Sequence, residues 1–124
     1  MTIAKNYANE RVAFGKPIGK FEGIQFKFAD MSAEIRAMEL LTYDTARMKV
    51  AGKRHTLEAA QTKLFSATRC TQICLECQQV LGGNGYSKEY HLERFVRDSK
   101  LLEIGEGTNE ILRMLIGGTI LAQK

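Results

Sequence analysis

One carboxylate in the sequence lies where a general base would be useful. Glu106 sits between Gly105 and Gly107, just before Thr108, which opens a predicted helix. The glycines leave the backbone bare, so the carboxylate can point outward, and a helix N-terminus favours its ionised form. An apolar ligand that excludes water would make it a stronger base for proton abstraction. The same position also suits a structural helix cap, and spacing alone leaves both interpretations open.

Three cysteines have a spacing that resembles a metal-cluster motif. Cys70, Cys74 and Cys77 form C-x3-C-x2-C, the ligand run of radical S-adenosylmethionine enzymes. These cysteines fall on the inward face of a predicted long helix, whereas cluster ligands of that type lie on a loop. We therefore predict that they are small core residues. His55 and His91 have no second histidine or carboxylate at ligand spacing, so the sequence predicts no metal site.

Two glycine-rich segments could be mistaken for phosphate-binding loops. Residues 82–85 and 105–107 both lack the third glycine of the G-x-G-x-x-G pattern, and neither follows a predicted strand. Both segments therefore fail as dinucleotide fingerprints. Taken alone, residues 82–85 are interpreted as the C-terminal cap of a helix followed by a turn.

Helices are the elements that must position these residues. Apolar side chains recur at steps of three and four over residues 21–52 and again over residues 56–81, where Thr56 occupies a cap position. The same spacing predicts a helix over residues 92–102 and another that Thr108 opens. Residues before position 14 can supply the end of a further helix. No alternating run of β-branched and aromatic residues indicates a strand.

Length and composition fit a single domain built from these helices. The 124 residues predict one all-α domain, an antiparallel four-helix bundle over residues 1–124. The net charge of +4 is spread along the chain, which does not predict a nucleic-acid interface. The longest stretch without a charged residue runs only from Cys77 to Ser87, too short for a membrane span. An odd number of cysteines favours a reducing compartment.

Four segments, read together, resemble the C-terminal domain of the flavin-dependent acyl-CoA dehydrogenases. They are ERVAFGKPI at residues 10–18, QVLGGNGY at residues 79–86, the ER and RD pairs of residues 93–98, and EGTNEI at residues 106–111. The match runs from about residue 5 to residue 117. Any one motif would be weak, but all four occur in the family's order. The resemblance implies a four-helix bundle that forms one third of a larger subunit.

The resemblance assigns a cluster of residues to the flavin adenine dinucleotide (FAD) of a neighbouring subunit. Arg11 matches the arginine that binds the pyrophosphate, a task suited to a planar and permanently charged guanidinium. Phe14 would lie beside it. Gln79, Gly82 and Gly83 match the stretch whose backbone comes close to the same dinucleotide, which glycine permits because it has no side chain.

A second set of residues matches the reaction centre. Glu106 matches the catalytic base, and Gly107 matches the residue whose backbone lies against the acyl chain. Thr108 and Glu110 match positions that contact the flavin within their own subunit. The implied reaction is α,β-dehydrogenation, in which Glu106 removes a proton beside the thioester carbonyl while a hydride leaves the β-carbon for the flavin. Gly105 stands where the family often has tyrosine, which leaves the wall of the acyl pocket open.

The resemblance also implies partners and an incomplete site. Acyl-CoA and an electron acceptor are the expected partners, together with further copies of the chain in a dimer or tetramer. Family subunits are roughly three times this length, so we expect this chain alone neither to retain FAD nor to be active. A stand-alone structural or oligomerisation bundle is the alternative, and an enzyme completed by a separately encoded chain is a third. The expected location is the cytoplasm, or the mitochondrial matrix if an upstream targeting segment was lost.

Overall fold

The computed structural model describes residues 1–122, which fold into helices and one short hairpin. The α-helices are α1 (Thr2–Glu10), α2 (Glu22–Val50), α3 (Thr56–Leu81), α4 (Gly83–Tyr86), α5 (Leu92–Ile104) and α6 (Asn109–Ala122). Single 3-10 turns cover Ile18–Lys20 and Lys88–Tyr90. The predicted all-α class is confirmed, and the helices predicted over residues 21–52 and 56–81 are α2 and α3.

A two-stranded hairpin between α1 and α2 is the exception. Strand β1 (Val12–Ala13) pairs antiparallel with β2 (Lys16–Pro17), in a register that places Ala13 opposite Lys16. Phe14 and Gly15 join the strands with φ angles of 51° and 80°, as a two-residue type I′ turn requires. The prediction that the chain has no strands was wrong here, because strands of two residues are too short to show alternation.

Helix α3 lies at the centre of the fold and packs against α1, α2, α5 and α6. Its inward face carries small side chains, so neighbouring helices can approach closely. Ala60, Ala67 and Cys77 are all buried on this face. The prediction that Cys77 is a core residue is confirmed, whereas Cys70 and Cys74 are only half-buried.

The largest buried cluster lies toward the C-terminal end of α3. It joins four helices and consists of Ala4, Ala8, Met31, Ile73, Cys77, Val80, Leu81 and Leu92. Met31 is the one buried residue of α2, and its sulfur accepts a hydrogen bond from the Cys77 thiol at 3.6 Å. The other residues of α2 are exposed or only partly buried. Within residues 1–122, no helix is both long and apolar enough to cross a membrane.

The beginnings of α3 and α6 differ in how they are capped. Helix α3 begins at Thr56 itself, and His55 precedes it as the N-cap without a side-chain hydrogen bond. The prediction that Thr56 caps α3 was therefore wrong. At α6 the Thr108 hydroxyl does accept a hydrogen bond, from the Ile111 N–H at 3.4 Å. This bond satisfies one of the N–H groups that every helix N-terminus leaves unpaired.

Replacing Met31 by alanine tests the buried cluster. We expect Met31→Ala to lower the free energy of unfolding by about 2 to 5 kcal/mol, because it leaves a cavity among tightly packed neighbours. Met114 is 69% exposed, so Met114→Ala is the matched control and should change stability by less than about 0.5 kcal/mol. Urea unfolding followed by circular dichroism measures both variants. Equal losses would contradict the assignment of Met31 to the core.

Candidate active site

Glu106 lies in the turn that joins α5 to α6. Its φ angle is 53°, and that of Gly107 is 102°, so both residues have a left-handed backbone. This conformation costs a non-glycine residue of the order of 1 kcal/mol or more, and it persists only when surrounding contacts impose it. The Glu106 side chain is exposed. The turn thus holds the carboxylate outward at an energetic cost.

An open apolar pocket lies next to Glu106. Its volume is about 560 Å³, and its walls come from α2, α3 and α5. Met38, Ala67, Leu101 and Leu102 supply most of the apolar lining, with Lys63, Ser66, Cys70, Gly105 and Glu106 around them. A pocket of this size and polarity suits an apolar chain. The carboxylate among its lining residues can act on a group bound there.

The Glu106 carboxylate has no protein partner among residues 1–122. No hydrogen bond or ion pair to it occurs within residues 1–122, and the capping hydrogen bond at α6 comes from Thr108. The N–H groups of Glu106 and Gly107 also donate to no backbone acceptor within this range. The contacts therefore favour a carboxylate available to a ligand over a helix cap. Two backbone donors beside it are available to the same ligand.

Lys63 of α3 binds both residues that flank Glu106 in the turn. Its ammonium donates hydrogen bonds to the carbonyl oxygens of Gly105 at 2.7 Å and Gly107 at 2.5 Å. Lys63 is not among the site residues predicted from the sequence. The helical spacing could have pointed to it. Lys63 follows Ala60 by three residues and precedes Ala67 by four, and this spacing places a lysine close to the inward face of α3.

Asn109 anchors the other side of the turn to the same helix. It is buried, and its Nδ2 donates to the Thr68 hydroxyl at 3.2 Å and to the Glu103 carboxylate at 3.4 Å. Hydrogen bonds from Thr71 and Lys100 lower the pKa of Glu103, which keeps this acceptor ionised. Residues 105–109 are therefore held between two side chains of α3.

A second cleft lies near the C-terminal end of α3. Arg11, Gln79, Gly82 and Gly83 all line it, and its volume is about 440 Å³. Gly82 has a φ of 56°, and a Cβ added at Gly82 or Gly83 would meet nothing within 4 Å. The backbone here is open to a ligand. Arg11 is exposed and forms no ion pair among the described residues, so its charge is available to an anion.

The remaining predicted site residues lie apart from this cleft. Phe14 is 95% exposed at the hairpin tip, and its ring contacts Phe21 edge to face with centroids 6.2 Å apart. Thr108 and Glu110 instead adjoin the Glu106 turn at the start of α6, where Glu110 accepts a hydrogen bond from Arg113 at 3.1 Å. The structure therefore gathers the predicted residues into two groups and leaves Phe14 outside both.

The two groups lie toward opposite ends of α3. Lys63 holds the Glu106 turn, whereas Gln79 lines the second cleft, 16 residues further along the helix. At about 1.5 Å per residue this corresponds to roughly 24 Å along the axis. One pyrophosphate is much shorter than this separation. A single pyrophosphate could therefore not span both groups.

Cys70 lines the Glu106 pocket and interacts with the next cysteine on its helix. Interaction with the neighbouring Cys74 thiol lowers the pKa of Cys70, and the same interaction raises the pKa of Cys74, while burial opposes the first shift and adds to the second. Burial also raises the pKa of Cys77. Within residues 1–122 no three histidine, cysteine or acidic side chains are grouped so that they could hold a metal ion.

Comparison with known proteins gives a single family. The profile of the acyl-CoA dehydrogenase C-terminal domain matches residues 1–121. A probable acyl-CoA dehydrogenase of Bacillus subtilis, YngJ, is 47% identical over 93% of this chain and 30% of its own length. Mitochondrial isovaleryl-CoA dehydrogenase of Oryza sativa is 43% identical over the whole chain and 30% of its own length.

A solved structure shares the fold. Butyryl-CoA dehydrogenase from Megasphaera elsdenii superposes with a TM-score of 0.95 at 42% identity, over 97% of this chain and 31% of the other. The chain thus spans about 30% of the length of the relatives that it matches.

Gly83 and Gly85 provide a matched test of the packing around the second cleft. A Cβ on Gly85 would lie 2.2 Å from the Gln78 carbonyl oxygen, whereas one on Gly83 meets nothing within 4 Å. We expect Gly85→Ala to lower the free energy of unfolding by about 1 to 3 kcal/mol through overpacking. Gly83→Ala should change it by less than about 1 kcal/mol. Urea unfolding measures the stability of the two variants. Equal losses of stability would contradict the close approach of the Gln78 carbonyl oxygen to Gly85.

Alkylation tests the Cys70 and Cys74 pair. Both thiols are half-buried, so their pKa values rather than access should set their rates, and the lowered pKa gives Cys70 more thiolate at pH 7. Iodoacetamide should therefore label Cys70 before Cys74, as peptide mass spectrometry measures. Cys74→Ala removes the neighbouring thiol that lowers the pKa of Cys70 and should slow labelling of Cys70 at pH 7. An unchanged rate in that variant would contradict the interaction.

Proposed function

The chain belongs to the acyl-CoA dehydrogenase family through its C-terminal domain, and we propose that Glu106 is the general base for α,β-dehydrogenation of an acyl-CoA thioester. The observation that carries the proposal is an exposed carboxylate, free of partners within residues 1–122, beside an apolar pocket of about 560 Å³. A pocket of this kind can hold the acyl chain, and the carboxylate can reach a carbon near the polar end of that chain.

The chemistry assigned to this chain is proton removal. Glu106 takes a proton from the carbon beside the thioester carbonyl, and negative charge develops on the carbonyl oxygen. The N–H groups of Glu106 and Gly107 have no backbone acceptor within the described residues, so they can stabilise that charge. Gly107 also lets the acyl chain approach the backbone. The apolar lining excludes water, which strengthens these electrostatic interactions.

The family is FAD-dependent, and the residues of the second cleft fit that cofactor. The guanidinium of Arg11, which forms no ion pair among the described residues, suits a pyrophosphate. Beside it lie the side-chain amide of Gln79 and the open backbone of Gly82 and Gly83. FAD held there would supply the acceptor for the hydride of the β-carbon. We assign Thr108 and Glu110, which adjoin Glu106, to the flavin end.

The two groups are reached from positions of α3 that lie roughly 24 Å apart along its axis, and we propose that they serve the cofactors of different copies of the chain. Glu106, Thr108 and Glu110 would serve the subunit's own flavin, and Arg11 with its cleft would bind the dinucleotide of a neighbouring subunit. Phe14, exposed at the hairpin tip, would lie against that same neighbour. This arrangement requires a homo-oligomer, a dimer or a tetramer.

The proposed role is that of the C-terminal third of a larger architecture, with residues 1–124 as a single helical domain. Relatives are roughly three times as long, so we propose that this chain alone neither retains FAD nor catalyses the reaction. Acyl-CoA and an electron acceptor remain the proposed partners. We propose a cytoplasmic location; the mitochondrial matrix is the alternative, because relatives include a mitochondrial enzyme.

A chimera tests the base directly. This chain replaces the corresponding third of butyryl-CoA dehydrogenase from Megasphaera elsdenii, and butyryl-CoA oxidation is followed with a dye as electron acceptor. We expect Glu106→Gln to lower kcat by about 10²- to 10⁴-fold, because an amide cannot accept the proton. The absorbance of bound flavin should not change, since Glu106 is not assigned to cofactor binding.

Glu39 supplies the matched control for this experiment. It is an exposed carboxylate on α2, paired with Arg36 at 3.4 Å, and Glu39→Gln should leave kcat within about twofold. A Glu106→Gln chimera that oxidises butyryl-CoA as fast as the parent chimera would refute the proposed base.

A further inference from the structure

We propose that Lys63 is a positioning residue for Glu106, which holds the backbone of the base in its left-handed conformation. The inference rests on the proposed function of Glu106. It is carried by one contact: a single ammonium binds the carbonyl oxygens of both residues that flank the base, at 2.7 Å and 2.5 Å.

The strained backbone explains why such a contact is needed. Glu106 has a φ of 53°, which a residue with a Cβ adopts only when its surroundings impose it. Rotation about the Glu106 backbone would swing the carbonyls of Gly105 and Gly107 relative to each other. Since Lys63 binds both oxygens at once, that rotation breaks at least one hydrogen bond to a charged donor. The ammonium thus opposes relaxation of the turn.

The position of Lys63 also matches the charge of its surroundings. Gly105 is the C-cap of α5, and the C-terminal end of a helix carries partial negative charge that a cation stabilises. Lys63 is half-buried and forms no ion pair with a carboxylate among the described residues. Its charge is satisfied by these carbonyl groups instead. Lysine suits this geometry because its compact ammonium donates in several directions.

The residues that hold the Glu106 turn belong to the central helix α3. Lys63 projects from α3, the helix that packs against most of the fold, and it lines the same pocket as Glu106. Asn109 fixes the start of α6 to Thr68 of the same helix, so the turn cannot shift as a whole when Lys63 is lost. Loss of Lys63 should therefore change the local conformation at Glu106 while the bundle remains folded.

The first measurement follows the backbone of the 124-residue chain by nuclear magnetic resonance. The coupling between the Glu106 N–H and Hα protons, with the Cα and Cβ shifts, reports its φ angle. We expect Lys63→Met to move Glu106 out of the left-handed region and Lys63→Arg, which keeps charged donors, to retain it. Lys27→Met is the control, because Lys27 also ties α3 to another helix, through Glu76, but lies away from the turn.

The second measurement uses the chimeric enzyme with butyryl-CoA. Lys63→Met should lower kcat by about 10- to 100-fold, as expected for a displaced catalytic group, with KM and flavin content within about twofold. Lys63→Arg should recover at least about tenfold of that loss, and Lys27→Met should behave as the parent. A purely structural role would instead lower flavin content and thermal stability together.

Two results would overturn the proposal. One is a Lys63→Met chain whose φ at Glu106 and whose kcat are those of the parent. The other is an equal loss in Lys27→Met, which would indicate general destabilisation. If Lys63→Met fails to fold, Lys63→Gln gives the same comparison. Failure of the base itself is distinguishable, since an active Glu106→Gln chimera refutes the base whatever Lys63 does to the backbone angle.

Discussion

The central position of α3 is the constraint on which the rest of the structure depends. A helix with neighbours on several sides must carry small residues where they approach, as Ala60 and Ala67 do. Polar side chains of the same helix bind the turn that follows α5. Lys63 and Thr68 are the clearest cases, since both bind the segment that contains Glu106. Packing and site geometry are therefore set by the same helix.

Much of the fold could be predicted because its information is local. The apolar spacing of α2 and α3 and the glycines that follow them mark both helices within a few residues. Glu106 and Arg11 could also be identified as candidate site residues from the sequence, because each lies in a short motif. The role of Lys63 was not, because it depends on carbonyl groups more than forty positions away that only folding brings close. The turn at Phe14 was not predicted for another reason: its two strands are too short to show an alternating pattern.

Left-handed backbone occurs at several of the positions assigned to function. Phe14, Gly82, Glu106 and Gly107 all have a positive φ, and all were named as site residues from the sequence. Strain of this kind is typical of sites whose geometry is imposed by surrounding structure. Gly15, Gly52 and His91 also have a positive φ, and none of them has an assigned role. A positive φ alone therefore does not distinguish the assigned residues from the others.

The hairpin tip has a consequence for how the domain meets other proteins. Phe14 combines a disfavoured backbone conformation with a ring that water surrounds almost completely. Neither feature stabilises the isolated chain. Removing the ring from water is worth about 2 to 3 kcal/mol, a gain available only in a complex. An aromatic side chain exposed on a two-residue turn would therefore favour association with any partner that covers it.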